Sequence, residues 1–268
     1  MAGEGAGVWT DPVYLRGEQY RSAGNLSSRQ SIYAYQQPRI DLPKSVLDLA
    51  APTGDEVVVD IGCGNGAYLA ELLRRGHRGP VVGVDASAGM LRAASLAAPP
   101  VLTLVADAGM LPLRDAVCSL ALANHMLYHL ADPALGVKEF HRVLAPGGRL
   151  VVVLNAHDHL VELRRAAEES WYDLGLPTYG GFRERVGLEK GEELLRVEFG
   201  AICRHDFVSR LVLSDRRPLE AYVRSMFDTA LVPERARERY VQGVLDRLEP
   251  DSGGVLEITA HPGCFICS

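Results

Sequence analysis

Short, almost wholly apolar runs alternate along the chain with stretches in which apolar residues recur every three or four positions. Apolar runs without polar alternation are typical of strands buried on both faces of a parallel sheet. Five such runs predict strands at residues 57–61, 81–84, 101–105, 119–123 and 149–154. The helical spacing between them predicts connecting helices, so this part of the chain indicates a doubly wound α/β sheet.

Glycine, proline and capping residues mark the ends of the connecting helices. Gly76 ends the first helical pattern, because glycine readily adopts the left-handed conformation that follows many helix C-termini. Ser87 is a predicted N-cap for the second helix, and Asp132 with Pro133 opens the third. Residues 42–50 predict one more helix before the first strand.

The pattern changes after residue 154, where longer helical stretches replace the regular alternation. Helical spacing predicts four helices, over residues 158–174, 189–199, 218–226 and 233–248. Apolar runs predict two more strands, over residues 202–213 and 256–266.

Composition narrows the possible functions. The chain has 268 residues, 47% of them hydrophobic, which is enough for one α/β domain with an added subdomain. A net charge of −6 without a basic patch disfavours nucleic-acid partners. We find neither a signal-peptide pattern nor an apolar run of membrane-spanning length, so we expect a cytoplasmic location.

Cysteine usage favours a reducing compartment. Five cysteines, an odd number, fit free thiols better than a disulfide framework. Cys264 and Cys267 form a CxxC pair, but a single pair is a weak indication of a metal. We interpret them as two thiols at the end of a strand and predict no metal site.

The most informative segment is VDIGCGNG, residues 59–66, where a buried strand runs into a turn with glycine at every second position. Such a turn lets backbone approach a ligand closely, and its glycines match the dinucleotide fingerprint GxGxxG/A, which is weak alone. Asp60 at the strand end distinguishes two ligands, because a carboxylate repels a pyrophosphate and attracts a cation. The cationic alternative is S-adenosylmethionine, which carries an ammonium and a sulfonium but no phosphate.

Polar residues also follow the next three strands. Asp85 lies about 20 residues beyond the turn, where a carboxylate can accept both ribose hydroxyls of either ligand. Asp107 follows the third strand, where it can accept from an adenine amino group. Asn124 and His125 follow the fourth and would face the crevice at the carboxyl ends of the strands. Asp85 does not distinguish the two ligands, but Asp60, Asp107 and residues 124–129 together favour S-adenosylmethionine.

Several motifs in this order resemble one family. They are VDIGCGNG (59–66), VDAS (84–87) with Met90, ADA (106–108) with LPL (111–113), and RVLAPGG (142–148). Together they are similar to the class I S-adenosylmethionine-dependent methyltransferases, in the small-molecule branch that includes ubiquinone/menaquinone C-methyltransferase-like proteins. The likeness covers about residues 55–155.

The resemblance implies a Rossmann-like sheet of seven strands, mostly parallel with one antiparallel strand, together with a helical lid. Residues 1–50 would cover the cofactor site, residues 51–156 would bind the cofactor, and residues 157–268 would supply the acceptor-site helices and the last two strands. It also implies S-adenosylmethionine as cofactor and a small-molecule acceptor. We expect a monomer or homodimer without nucleic-acid or membrane partners.

The resemblance further implies contacts to each part of the cofactor. The residues are Gly62, Cys63 and Gly64 for the methionine part, Asp85 and Ala86 for the ribose, Met90, Asp107 and Ala108 for the adenine, and Asn124 and His125 behind the sulfonium. Asp60 is expected to face the cationic part. In this family the segment before the first strand often folds over the cofactor, and Tyr20 and Arg29 are our candidates there. Arg29 can pair with the methionine carboxylate.

The acceptor side is less defined. A sulfonium is already an activated electrophile, so positioning and desolvation supply much of the rate, and a histidine base helps where the acceptor loses a proton. His129 is our first choice and His125 our second, while His157 and His159 follow the fifth strand. Aromatic residues beyond it form either ordinary core or a lid over an aromatic or heterocyclic acceptor. They are Trp171, Tyr172, Tyr179, Phe182, Tyr222 and Phe227.

Three rival functions are weighed against methyl transfer to a small molecule. Asp60 and the absence of a Tyr-x-x-x-Lys pattern disfavour an NAD(P)-dependent oxidoreductase. A module that binds S-adenosylmethionine without turnover would carry the same motifs. An RNA or protein methyltransferase is disfavoured by the acidic charge and by NHML at residues 124–127, where an Asn-Pro-Pro-Tyr-type motif would stand. The sequence leaves the methylated atom open among O, N and C.

Overall fold

The computed structural model describes residues 10–177, 186–248, 250 and 254–268, and its frame is a seven-stranded sheet. From edge to edge, the strands are β4 (Leu102–Val105), β3 (Val81–Asp85), β2 (Val58–Ile61), β5 (Cys118–Asn124), β6 (Leu144–Asn155), β10 (Pro262–Cys267) and β7 (Ile202–Asp206). Of these strands, β10 alone runs against the others, pairing antiparallel with β6 and β7. The expected fold class is confirmed.

The order of the strands reverses at the middle of the sheet. Strand β2 pairs in parallel with β3 on one side and with β5 on the other. In a doubly wound sheet, this reversal opens a crevice at the carboxyl ends of the strands. All four residues of β2 are buried, as expected for an apolar run covered on both faces.

Helices cover both faces of the sheet, and each face has its own apolar core. One core includes helices α3 (Leu42–Ala50), α4 (Ala67–Arg74) and α5 (Ala88–Ala97), and the other includes α6 (Pro133–Val143) and α8 (Leu188–Leu195). Strand β5 serves both, because Leu120 and Leu122 face the first core and Ala121 and Ala123 the second. The caps predicted for α5 and α6 form, with the side chains of Ser87 and Asp132 accepting backbone N–H groups.

The Gly-rich turn between β2 and α4 is fixed to the neighbouring strand. The backbone N–H groups of Gly62 and Cys63 both donate to the carbonyl oxygen of Val84, at 2.7 and 2.9 Å. Gly62 has φ +71°, and a Cβ added there would lie 2.7 Å from the Cβ of Met126. Glycine is therefore required by both conformation and space, and the turn approaches the crevice with backbone alone.

The last two predicted strands each divide into two. Residues 202–213 form β7 and then β8 (Ser209–Leu213), and residues 256–266 form β9 (Leu256–Ala260) and then β10. Strands β8 and β9 pair with β1 (Gln36–Gln37) in a second, antiparallel sheet. The prediction of two continuous strands is wrong, because the chain passes from one sheet to the other at residues 207–208 and again at His261.

A third core joins the small sheet to helices from distant parts of the chain. Its helices are α7 (Val161–Asp173), α9 (Arg216–Arg224), α10 (Phe227–Leu231) and α11 (Glu234–Arg247). Ile32, from the N-terminal part, is completely buried among them. None of the described helices has the length and apolar character needed to cross a membrane.

The N-terminal part is a series of short helices that ends at β1. They are α1 (Pro12–Tyr14), a π-helix (Leu15–Gln19), α2 (Gly24–Ser31) and a 3-10 helix (Ile32–Tyr35). Side-chain hydrogen bonds attach them to different regions. Asn65 of the Gly-rich turn donates to Gln30 at 2.8 Å, and Gln19 donates to the carbonyl oxygen of Ser225 at 3.3 Å. This N-terminal cover therefore bridges the large sheet and the third core.

Candidate functional site

A cavity of about 1000 Å³ opens at the carboxyl ends of the central strands. Its floor is the Gly-rich turn and the ends of β3, β4 and β5, and the N-terminal cover forms much of its roof. Helices α7 and α9 of the third core close its far side. The cavity brings together all the residues that the sequence assigned to the cofactor: Tyr20, Arg29, Asp60, Gly62, Cys63, Gly64, Asp85, Ala86, Met90, Asp107, Ala108, Asn124 and His125.

Asp85 ties the Gly-rich turn to the start of α5. One carboxylate oxygen accepts the backbone N–H of Gly64 at 3.0 Å, and the other accepts the backbone N–H of Ser87 at 2.8 Å. Burial raises the pKa of Asp85, while these two hydrogen bonds act in the opposite direction. The carboxylate is thus held at the strand end with lone pairs left for a ligand hydroxyl.

Asp60 is a buried carboxyl group without a protein partner. Its side chain is 1% exposed, and neither carboxylate oxygen has a hydrogen-bond partner among the described residues. Burial, and then the nearby charge of Asp85, raises the pKa of Asp60 to about 8. A cationic group in the cavity would satisfy this carboxylate and lower its pKa, so the site fits an ammonium-bearing ligand and opposes a pyrophosphate.

Asn124 adds a second buried polar group with nothing to bind in the protein. It is 8% exposed, it lines the cavity, and no described residue pairs with its amide nitrogen or oxygen. Buried polar groups nearly always have a hydrogen-bond partner, so two unpaired polar groups on neighbouring strands indicate a polar ligand. These observations fit the cationic methionine end of S-adenosylmethionine.

The adenine end of the proposed cofactor site has a different character. Asp107 accepts the backbone N–H of Gly109 at 2.8 Å through Oδ1, which leaves Oδ2 for a ligand donor. Met90 is 1% exposed and Cys63 is 7% exposed. Burial raises the pKa of the Cys63 thiol far above its usual value, so this residue lines the cavity as a neutral thiol and not as a nucleophile.

His129 lies in a frame of aromatic rings. Its Nε2 shares a hydrogen bond of 3.0 Å with the hydroxyl of Tyr20, which belongs to the N-terminal cover. Phe227 stacks on the imidazole with ring centroids 5.8 Å apart, and Tyr128 meets it edge-on at 4.7 Å. The backbone oxygen of Tyr20 in turn accepts from the hydroxyl of Ser87 at 2.6 Å. The imidazole is therefore held in one orientation at the cavity wall.

The other two sequence candidates differ from His129. His125 has φ +54°, and burial lowers its pKa to about 4, so it is neutral at neutral pH. Arg29 donates from Nη1 to the carbonyl oxygen of Ser225 at 2.8 Å, and its guanidinium lies 5.6 and 5.5 Å from the ring centroids of Tyr20 and Phe227. Arg29 thus links the N-terminal cover to the third core at the edge of the cavity.

The histidines and aromatic residues expected near the acceptor divide between the cavity and other places. His159, Tyr222 and Phe227 line the cavity, whereas His157 and Tyr172 are exposed elsewhere. Trp171 belongs to the third core. Tyr179 and Phe182 lie outside the described residues.

Tyr33 is a cavity residue that the sequence did not single out. Its hydroxyl is 3.1 Å from Nε2 of His159, a contact across 126 positions of the chain. A local motif contains no signal of such a contact, because the two residues meet only through the third core. The described residues also include no group of three or more His, Cys, Asp or Glu side chains placed to hold a metal.

Comparison with known families agrees with this geometry. Residues 59–152 match the family model described as a methyltransferase domain. This segment therefore resembles a methyltransferase domain. The matched residues run from β2, through the Gly-rich turn, Asp85, Asp107 and Asn124, to β6, so the domain supplies the floor of the cavity.

Known proteins resemble part of the chain. An uncharacterized methyltransferase of Mycobacterium tuberculosis is 34% identical over 134 residues, which is 50% of this chain and 54% of the relative. A demethylmenaquinone methyltransferase of Corynebacterium kroppenstedtii is 41% identical over 102 residues, 38% of this chain and 42% of the relative. The chain thus spans about half the length of the curated relatives it matches.

A solved structure extends the likeness of fold beyond the domain. A phosphoethanolamine N-methyltransferase of Haemonchus contortus, in complex with S-adenosylhomocysteine, has a TM-score of 0.58 and 15% identity, covering 97% of this chain and 59% of that one. At this identity the likeness shows the fold alone. The domain match and the methyltransferase relatives support S-adenosylmethionine, and not a nicotinamide nucleotide, as the cofactor.

Proposed function

We propose that the protein is an S-adenosylmethionine-dependent methyltransferase that acts on a small molecule. The observation that carries the proposal is the pair of buried, unpartnered side chains, Asp60 and Asn124, beside the carboxylate of Asp85 at the strand ends. One end of the cavity thereby suits a cation joined to a ribose. The cavity continues past His129 to the third core, which leaves room for a second molecule.

The residues of the methyltransferase domain would hold the cofactor by its polar groups. Asp85 would accept the ribose hydroxyls while keeping the backbone of Gly64 in place. Asp107 and Ala108 would meet the adenine edge, and Met90 would pack on its face. Asp60 would face the cationic end, where its carboxyl group has no other partner.

S-adenosylmethionine, when bound, supplies a methyl group already activated by its sulfonium. The chain's own residues then have three tasks: to orient the acceptor, to exclude water and to accept a proton. The N-terminal cover closes the cavity above the Gly-rich turn, which serves the second task. His129 would accept the acceptor's proton, and Tyr20 would keep the imidazole aimed at the cavity.

The acceptor we propose is an aromatic or heterocyclic small molecule methylated at O, N or C. Apolar and aromatic side chains of the third core support this class, because Leu160, Leu163 and Tyr222 line the cavity. The demethylmenaquinone methyltransferase relative supports the quinone C-methyltransferase-like branch. The net charge of −6 supports a small molecule over a nucleic acid.

Transfer of a labelled methyl group tests the proposal directly. The protein is incubated with S-adenosylmethionine labelled at the methyl group and a metabolite extract, and products that gain the label are identified by mass spectrometry. We expect label in one or a few small molecules. Repeated failure to label any product, with S-adenosylhomocysteine still bound by the protein, would favour a binding module without turnover.

A further inference from the structure

His159 is held by the backbone of the neighbouring strand. The backbone N–H of His261, next to β9, donates to Nδ1 of His159 at 3.0 Å. The loop before α7 is attached to the same stretch, because Leu160 donates its N–H to the carbonyl oxygen of Thr259 at 2.7 Å and Ala156 donates to that of His261 at 2.9 Å. The side chain of His261 is itself paired with Asp158, at 2.7 Å. The imidazole of His159 therefore has a fixed position.

These contacts decide which nitrogen of His159 carries a proton. Because a backbone N–H only donates, Nδ1 must present its lone pair to His261. A neutral imidazole then carries its proton on Nε2, and a doubly protonated ring would place two N–H groups against each other. Burial, and then the proximity of His125, Arg164 and His261, lowers the pKa of His159 to about 3, in agreement with a neutral ring.

The tautomer of His159 in turn decides the direction of the Tyr33 hydroxyl. Nε2 of His159 donates to the Tyr33 oxygen across 3.1 Å, and the two rings stack with centroids 6.3 Å apart. The phenolic proton of Tyr33 must then point elsewhere. No second partner of this hydroxyl occurs among residues 10–177, 186–248 and 254–268, and both rings line the cavity.

We propose that Tyr33 donates a hydrogen bond to an oxygen of the methyl acceptor, and that His159 is the positioning residue that turns this proton into the cavity. A hydroxyl that already accepts a hydrogen bond is a stronger donor. Leu160, Leu163 and Tyr222 on the same wall provide apolar contact beside it. The ligand class is a planar, largely apolar compound that bears a carbonyl or carboxylate oxygen. This inference rests on the proposed function, since it assigns this end of the cavity to the acceptor.

Two isosteric probes test the donor without the natural acceptor. Acetophenone presents a carbonyl oxygen, and α-methylstyrene has a methylene group in its place. We expect ligand-observed NMR titrations of the wild-type protein to show acetophenone bound about five- to tenfold more tightly, as one neutral hydrogen bond provides. Tyr33→Phe should remove this preference. Tyr35→Phe is the matched control, because Tyr35 follows in the same 3-10 helix and does not line the cavity.

Three results would overturn the inference: no binding of acetophenone, no preference in the wild-type protein, or a preference that persists in Tyr33→Phe. The positioning role has its own readout in ¹⁵N spectra of His159, where we expect Nε2 protonated and shifted by acetophenone in the wild-type protein but not in Tyr33→Phe. A proton on Nδ1 would contradict that role even if the variant folds poorly.

A separate titration distinguishes failure of this inference from failure of the proposed function. S-adenosylhomocysteine is titrated into the same three proteins. Binding of this compound without a carbonyl preference would leave the methyltransferase proposal standing and remove the Tyr33 site. A carbonyl preference without binding of this compound would remove the methyltransferase proposal and leave Tyr33 only as a hydrogen-bond donor to a carbonyl ligand.

Discussion

The two ends of the cavity are built in opposite ways. The proposed cofactor end comes from one continuous segment, where Asp60 lies in β2, Asp85 ends β3 and Asp107 follows β4, so that all three meet at one edge of the sheet. The acceptor end comes from parts of the chain that lie far apart, including Tyr20 and Tyr33 before the domain and α7 and α9 after it. A site made by neighbouring strand ends leaves ordered motifs in the sequence, whereas a site made by long-range packing leaves none.

Their electrostatics differ as well. Unpaired carboxyl and amide groups occupy the proposed cofactor end, and the neutral imidazole of His159 with the phenols of Tyr33 and Tyr222 occupies the proposed acceptor end. The first arrangement suits a cation, and the second suits an uncharged molecule or an anion that needs directed hydrogen bonds. If this division is correct, substitutions at one end should alter cofactor binding and those at the other should alter turnover.

The largest effect is expected at the acceptor end. His129→Ala should lower the rate of label transfer by about a hundredfold or more, because a general base contributes that much where the acceptor loses a proton. Calorimetry with S-adenosylhomocysteine should give nearly unchanged affinity. His157→Ala is the matched control, since His157 is exposed outside the cavity. Wild-type turnover of His129→Ala would remove this residue as the base.

The second-largest effect is expected at the proposed cofactor end of the cavity. Asp85→Ala should weaken binding of S-adenosylhomocysteine by about 1–3 kcal/mol, through lost charge-assisted hydrogen bonds and a loosened Gly64 backbone. Calorimetry measures the change. Asp48→Ala serves as control, because Asp48 is an exposed carboxylate paired with Arg75 outside the large cavity. Unchanged affinity of Asp85→Ala would mean that the ribose site is wrongly placed.

A smaller effect on turnover is expected at Tyr20, where the two ends of the cavity meet. Tyr20→Phe removes the hydroxyl on Nε2 of His129 but keeps the ring, so we expect turnover to fall about fivefold, the contribution of one neutral hydrogen bond. The maximal rate should fall while cofactor affinity stays the same. A loss of affinity equal to the loss of rate would place Tyr20 in cofactor binding instead.

The smallest expected effect is the release of a proton from Asp60 when the ligand binds. Because the pKa of Asp60 is raised to about 8, the unliganded carboxyl group is mostly protonated at pH 7, and a bound cation should make it release about one proton. Calorimetry of S-adenosylhomocysteine in buffers of different ionisation enthalpy measures this number. Asp60→Asn should abolish the release, and the surface variant Asp115→Asn should keep it.

The raised pKa of Asp60 also predicts how the stability of the folded protein depends on pH. A raised pKa in the folded state makes a contribution to stability that is complete below the unfolded value, near 4, and is lost as the pH rises through about 8. The stability of unliganded Asp60→Asn relative to the wild-type protein should therefore increase as the pH rises from 4 to 8. Chemical denaturation across this range checks the sign, and a constant difference would contradict the raised pKa.

The arrangement of polar residues at the strand ends could be predicted because its signals are local. The apolar runs gave the parallel strands within a few residues, and the spacing from Gly62 to Asp85 and Asp107 placed the polar groups on one edge. The split of residues 202–213 between two sheets could not be predicted, because no glycine or proline marks the break at Phe207 and Val208. The Tyr33–His159 contact was equally hidden, since it depends on how the third core packs.

Calorimetric titration of the wild-type protein with S-adenosylhomocysteine and, separately, with NAD tests the central claim most directly. Asp60 and Asn124 should favour a ligand whose adenosine is joined to a cationic amino acid and oppose one joined to a pyrophosphate. We predict saturable binding of S-adenosylhomocysteine and no detectable heat with NAD. Tight binding of NAD, with none of S-adenosylhomocysteine, would contradict the assignment of this cavity.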